Sequence, residues 1–141
     1  MIEEATTILY IDDDPDDLLI FGESFRNLYP DITVLKAQSG EAGINLLKLL
    51  EQENSPFPSL IVLDMNMPKM DGRQTLMQIR GKESWEDIPI VIFTTSFNIT
   101  DVEFCKNYGI ECIAKPMSYN NLNHTMQQLV SYCNRRHIST D

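Results

Sequence analysis

Five short apolar, β-rich runs alternate along this chain with five segments whose apolar residues recur every three to four positions. No other feature restricts the fold so strongly. The strand-like runs are TTILYI (6–11), ITVLK (32–36), SLIVLD (59–64), IPIVIFT (88–94) and IECIAK (110–115). The helix-spaced segments are 15–29, 39–53, 72–81, 99–109 and 118–136. In the first of these, Leu18, Phe21/Gly22, Phe25 and Leu28 form the stripe, and in the second Ala42, Leu46, Leu49 and Leu50. Gly81 and Gly109 close the third and fourth, SPFP (55–58) breaks the second, and 137–141 read as a frayed tail.

Strands that are apolar nearly throughout must be buried on both faces, and strands separated by helices run parallel. Right-handed crossovers then favour an α/β, doubly wound, five-stranded sheet with five helices, in the flavodoxin-like order 2-1-3-4-5. The 141 residues suffice for one domain (core 6–134, tail 135–141), and a hydrophobic fraction of 43% suffices for its core.

In such a sheet, ligands bind beyond the carboxyl ends of the strands. The first strand ends in Asp12, Asp13 and Asp14, the third in Asp64 and Asn66, the fourth in Thr94, Thr95 and Ser96, and the fifth in Lys115-Pro116. Acids, hydroxyls and one ammonium from four strands therefore converge on one edge. Oxygen-rich sites of this kind suit Mg²⁺ (or Mn²⁺) together with an anion such as phosphate.

The densest charge is YIDDDPDD (10–17). Two carboxylates about 5 Å apart repel by roughly 3 kcal/mol at an effective dielectric near 20. A divalent cation offsets this for Asp12, Asp13 and Asp64. The rest of the run reads as a helix start: Asp14 as N-cap, Pro15 at the first helical position, and Asp16 and Asp17 in the first turn, where the helix dipole favours them. An EF-hand loop over Asp12, Asp14, Asp16 and Glu23 fails, because its sixth position has Asp17 instead of glycine and a strand precedes it. A flavodoxin-type cofactor site would need a hydroxyl- or glycine-rich loop where these aspartates stand.

A net charge of −10 argues against nucleic acid or anionic membrane as a direct partner. No apolar run approaches a membrane span, and MIEEATT is acidic where a secretory leader is basic, so the expectation is a cytoplasmic protein. Cys105, Cys112 and Cys133 lack metal or disulfide spacing and read as free thiols. His124 and His137 lie in the last helix and the tail, remote from the candidate site, and read as surface residues. Met65, Met67 and Met70 read as loop packing rather than a docking patch.

The acidic pair Asp12-Asp13, LDMNMPKMDG (63–72), Thr94 and Lys115-Pro116, in order at successive strand ends, resemble a response-regulator receiver domain of the CheY-like, stand-alone kind. The phrasing DDDPDD and IPIVIFTTS is similar to single-domain regulators of phytochrome-type kinases. The resemblance implies two-component signal transduction. Asp64 would accept a phosphoryl group from a histidine kinase or histidine phosphotransfer protein. Asp13, Asp64 and the Asn66 carbonyl would ligate Mg²⁺, with Asp12 acting through water. Lys115 would bind the phosphoryl oxygens, Lys115-Pro116 would be cis, and Thr94 would hydrogen-bond the phosphoryl group, with Thr95 a neighbouring contender. Gly72 would supply the turn before the third helix. The protein would then be a switch, not an enzyme acting on other substrates.

The family commonly has an aromatic residue three positions before the strand-5 lysine, and here that position is Cys112. The output is then expected to rely on backbone shifts in the loop after strand 4, 95–101, or on neighbouring residues such as Phe97, a mobile-aromatic candidate just beyond the switch hydroxyl, or Tyr119. No output segment follows the fifth helix within these 141 residues, so signalling is expected by contact with a downstream protein or a second copy of the chain (a homodimer). The expected readout face is strand 4, helix 4, strand 5 and helix 5, including Asp101, Glu103, Lys106, Asn107, Glu111, Tyr119 and Asn120. The competing reading is a phosphorylation-independent dimerisation or scaffold module of the same fold.

Overall fold

Side chains alternate across a strand, so a strand apolar at every position needs cover on both sides. β1 (Thr7–Ile11) turns Ile8 and Tyr10 to one face and Leu9 and Ile11 to the other, and all four are fully buried. The computed structural model describes residues 6–95, 98–116 and 122–138, with side chains through Cys133. Its sheet also contains β2 (Thr33–Ala37), β3 (Leu60–Leu63), β4 (Ile90–Thr94) and β5 (Glu111–Ala114). All neighbours are parallel and the order is β2-β1-β3-β4-β5, as the alternation of runs predicts.

α1 (Pro15–Leu28) and α5 (Leu122–Ile138) cover one face through Leu18, Phe21, Phe25, Met126 and Leu129. α2 (Gly40–Gln52), α3 (Gly72–Arg80) and α4 (Ile99–Asn107) cover the other through Ile44, Leu47, Leu76, Ile79 and Cys105. The expected start of the last helix, 118–121, lies outside the described residues, and α5 runs to Ile138, beyond the expected stop at 136. The sequence there has neither Gly nor Pro to end it. Among the described residues, no helix is long and apolar enough to cross a membrane.

Two stripes differ from expectation. Leu28 is 40% exposed, so the α1 stripe ends at Phe25. On α2 the buried residues are Gly40, Gly43, Ile44 and Leu47, Leu46 and Leu50 are half-buried, and Ala42 and Leu49 are exposed. The physical reason is Gly43, where a Cβ would lie 2.4 Å from Ile11 Cδ1. The helix presses Gly43 against the sheet, and the buried face is centred on Ile44 and Leu47, leaving Ala42 and Leu49 outside. Sequence patterning also misses a 3₁₀ turn at Glu83–Trp85, which buries Trp85 and directs its Nε1–H to Glu51 Oε1 at 3.0 Å.

Candidate functional site

The carboxyl edge of the sheet begins where β1 and β3 stop. Asp12 N–H donates to Ala37 O and Asp64 N–H to Ile11 O, each at 3.0 Å, so sheet hydrogen bonding fixes both aspartates. Asp12 is fully buried, Asp64 is 5% exposed and Asp13 is exposed. One carboxylate oxygen from each of the three lies within 4.8 Å of the others, the only such acidic, cysteine or histidine group among the described residues.

Lys115 reaches this cluster from the end of β5, where its N–H donates to Thr94 O at 2.8 Å. Its ammonium lies 2.6 Å from Asp12 Oδ2, 2.8 Å from Asp17 Oδ2 and 3.9 Å from Asp64 Oδ2. Burial alone would lower its pKa, but the bonds to Asp12 and Asp17 outweigh that and hold it above the ordinary lysine value. Asp12 Oδ2 also accepts the Tyr10 hydroxyl at 2.5 Å, and Asp12 Oδ1 the Asp14 N–H at 2.9 Å. Burial among these acids keeps the Tyr10 phenol protonated and therefore a donor.

Burial pushes the Asp64 carboxyl up to about 6, with Asp12 adding to the rise; Lys115, the Asn66 N–H and Thr94 pull the other way without cancelling it. The Thr94 hydroxyl is fully buried and accepts Asn66 Nδ2–H at 3.2 Å. Thr95, the neighbouring contender, is exposed.

The loop from Asp64 to α3 is shaped by close approach. Gly72 N–H donates to Met65 O at 3.0 Å, and a Cβ at Gly72 would lie 2.5 Å from Asp64 O and 2.6 Å from Met65 Cα. The left-handed residue is instead Lys69, at φ 63°. Gly72 thus serves by lacking a side chain rather than by making the turn. Asp71 and Gln74 then close a capping box on α3. Met65 and Met67 are buried beneath this loop, which makes them packing residues as expected.

The structure brings Asp12, Asp13, Asp64, Asn66, Thr94 and Lys115 to one edge. Among the described residues no peptide bond is cis, so Lys115-Pro116 does not take the cis form that the resemblance implies; trans is the lower-energy form for X–Pro by roughly 0.5–1 kcal/mol. Phe97, Tyr119 and Asn120 lie outside the described residues. Asp101, expected on the readout face, is 8% exposed and bonded to Arg73, whereas Glu103, Lys106, Asn107 and Glu111 are exposed. His124 is exposed, as expected. Sequence reasoning overlooks Tyr10 and Asp17. Asp17 lies in the first turn of α1, which starts directly after the Asp12-Asp13 pair, and that closeness in the chain is the signal that it shares the same edge.

The response regulator receiver domain model matches residues 8–127. The probable methanogenesis regulatory protein FilR2 of Methanothrix harundinacea is 28% identical over 131 residues, covering 92% of this chain and 84% of that protein. Response regulator Rcp1 of Synechocystis is 32% identical over 127 residues, covering 89% and 86% respectively. The crystal structure of its Mn²⁺-bound form superposes with a TM-score of 0.73 over 89% of this chain and 92% of that one, at 30% identity. The phosphorylated cyanobacterial phytochrome response regulator RcpA gives a TM-score of 0.71 over 89% of each chain, at 27% identity. Receiver domains are signalling switches rather than true enzymes. They act with histidine kinases or phosphotransfer proteins and bind Mg²⁺ or Mn²⁺ in an acidic pocket. By its edge chemistry, its strand order and these matches, the chain belongs to the response regulator receiver domains of two-component signalling.

Proposed function

We propose that the chain works as one receiver unit in which Asp64 accepts a phosphoryl group from the phosphohistidine of a kinase or phosphotransfer protein. The observation that carries this reading is the Asp64 carboxylate, with Asp12 and Asp13 within 4.8 Å and the Lys115 ammonium at 3.9 Å. In the transfer the histidine N–P bond breaks and an Asp64 O–P bond forms, giving an acyl phosphate. Such transfer depends on positioning and charge neutralisation more than on an acid or base.

The donor set is all oxygen, as Mg²⁺ and Mn²⁺ prefer. Held by Asp13, Asp64 and the Asn66 main-chain carbonyl, with Asp12 acting through water, the cation would neutralise charge on the transferring group. The indirect role for Asp12 fits its engagement by Tyr10, Asp14 and Lys115. Lys115 receives phosphoryl oxygens, and the Thr94 hydroxyl turns from Asn66 to the phosphoryl group. The Mn²⁺-bound Rcp1 and phosphorylated RcpA structures support both halves of the reading. Output passes through β4, α4, β5 and α5, whose exposed Glu103, Lys106, Asn107 and Glu111 offer contacts to a downstream protein or a second copy of the chain.

Intact-mass spectrometry after incubation with acetyl phosphate, with and without Mg²⁺, tests this on wild type and Asp64→Asn. The expected result is a Mg²⁺-dependent gain of one phosphoryl group that the variant lacks. A gain that survives in the variant would assign the wrong acceptor. No gain, either with acetyl phosphate or with a phosphorylated histidine donor, would favour a phosphorylation-independent dimerisation or scaffold module.

A further inference from the structure

Two of the three thiols meet although they come from different elements. Cys105 ends a buried stripe of α4, and Cys112 lies in β5, an edge strand of the sheet. The chain between them folds back through a turn: Gly109 takes φ 66°, and Ile110 N–H returns to Cys105 O at 2.9 Å. That turn sets the two Sγ atoms 2.7 Å apart. Nonbonded atoms as small as carbon normally rest at about 3.5–4.0 Å. Cys105 is 2% exposed and Cys112 is half-buried, so one member of the pair is open to a small reagent and the other lies directly behind it.

The bland account is that both are small core hydrophobes, as free cysteines often are. Cys133 fits that account, being buried and apart from the pair on the opposite face of the sheet. Cys105 and Cys112 fit it less well, because apolar packing alone does not require sulfur-to-sulfur contact at an edge strand.

We propose that Cys105 and Cys112 form a site of reversible oxidation, at which a hydroperoxide converts the two thiols into one intramolecular disulfide. The half-buried Cys112 reacts first: its sulfur takes one oxygen from the peroxide O–O bond, giving a sulfenic acid and water (or an alcohol). The Cys105 sulfur then attacks the Cys112 sulfur, the S–O bond breaks and a second water leaves. Overall two thiols lose two electrons and two protons to one peroxide. Burial pushes the Cys105 thiol up to about 12 and raises Cys112 as well, so both rest as thiols.

The bond closes an eight-residue ring, 105 to 112, and pins the end of α4 to the middle of β5. On the switching surface proposed above, oxidation would therefore restrain the elements that carry output. This consequence rests on that reading, but bond formation itself does not.

The test treats the whole reduced chain with hydrogen peroxide, then unfolds it and alkylates the remaining thiols. The expected result is loss of two of three alkylatable thiols, a mass lower by two hydrogens before alkylation, and a Cys105–Cys112 linked peptide that dithiothreitol releases. Cys133→Ser keeps the link and Cys112→Ala abolishes it. Retention of three free thiols, oxygen addition without the linked peptide, or a bond between two chains would each overturn the proposal. Running the same mapping on Asp64→Asn separates it from the phosphoacceptor reading: the link forms there too. Slower amide exchange in α4 and β5 after oxidation would report the restraint, and unchanged exchange would remove that consequence.

Discussion

Replacing Asp64 with Asn should make the protein more stable at neutral pH. The carboxyl titrates at about 6 in the fold against 3.8 in the absence of its surroundings, chiefly because it is buried and stands beside Asp12. At 1.36 kcal/mol per pKa unit, this difference corresponds to about 3 kcal/mol of strain in the ionised site. Asn keeps an acceptor for the Asn66 N–H but loses the attraction of Lys115, so the expected net gain is about 1–3 kcal/mol. The pH dependence has a fixed sign. Because the folded pKa is the higher one, the native state holds this proton more tightly, and its contribution to stability is complete below pH 3.8 and lost as pH rises through about 6. Most of the gap between wild type and variant should therefore close by about pH 4.5. Urea unfolding followed by the fluorescence of the single tryptophan, Trp85, buried at 1% exposure, measures this at each pH. Saturating Mg²⁺ should raise the wild type toward the variant, since a ligand that binds only the folded state stabilises it. A variant no more stable at neutral pH, or a gap of the same size at low pH, would refute the electrostatic reasoning.

Gly72→Ala should cost about 1–3 kcal/mol in urea unfolding, because the new methyl meets the Asp64 and Met65 backbone rather than a side chain that can yield. It should also weaken Mg²⁺ binding in a calorimetric titration, since Asp64 itself is displaced. Tyr10→Phe removes a donor from fully buried Asp12 and should cost about 1.5–3 kcal/mol by the same unfolding assay, with far-ultraviolet circular dichroism unchanged. Arg73→Ala should lower the urea midpoint only slightly, as the arginine is one-third exposed and water screens its ion pair with Asp101, and should make the fold more acid-sensitive. Burial works against the Asp101 carboxylate, but Arg73 and the Asn98 N–H hold its pKa below the usual value. The stability this gives is present above the ordinary carboxylate range and lost as pH falls through the lowered value, so the acid-unfolding midpoint should move upward in Arg73→Ala.

The sheet is legible because the three central strands, β1, β3 and β4, are apolar at nearly every position, and burial on both faces leaves few other architectures. The start of α1 is legible because Asp14-Pro15 has the chemistry of a helix entry, and Asp14 does accept the Asp16 N–H. The α2 face is not legible. Leucine spacing points one way, and the close approach of Gly43 to Ile11, which appears only in three dimensions, turns the helix another. The site shows the same division. Asp12, Asp13, Asp64, Thr94 and Lys115 can be named because each ends or follows a strand. Asp17 looks like a helix-dipole residue until Lys115, 98 positions away, is seen to reach it. Asp101 looks like a surface acid until Arg73 is seen beside it. Pairings between distant segments leave no periodic trace, so they are the part that patterning omits.

Asp101 also joins the starts of two helices. Its carboxylate accepts the Asn98 N–H at 3.1 Å, its own N–H donates to Asn98 Oδ1 at 2.9 Å, and it binds Arg73 in the first turn of α3. The Arg73 guanidinium lies 5.4 Å from the centre of the Phe104 ring on α4. The first turns of two helices are thus riveted at one carboxylate, beside the Asn66–Thr94 bond. A displacement of either loop reaches both helices together, like two levers on a single pin. A force applied to α4 is therefore passed to the start of α3 through this one carboxylate.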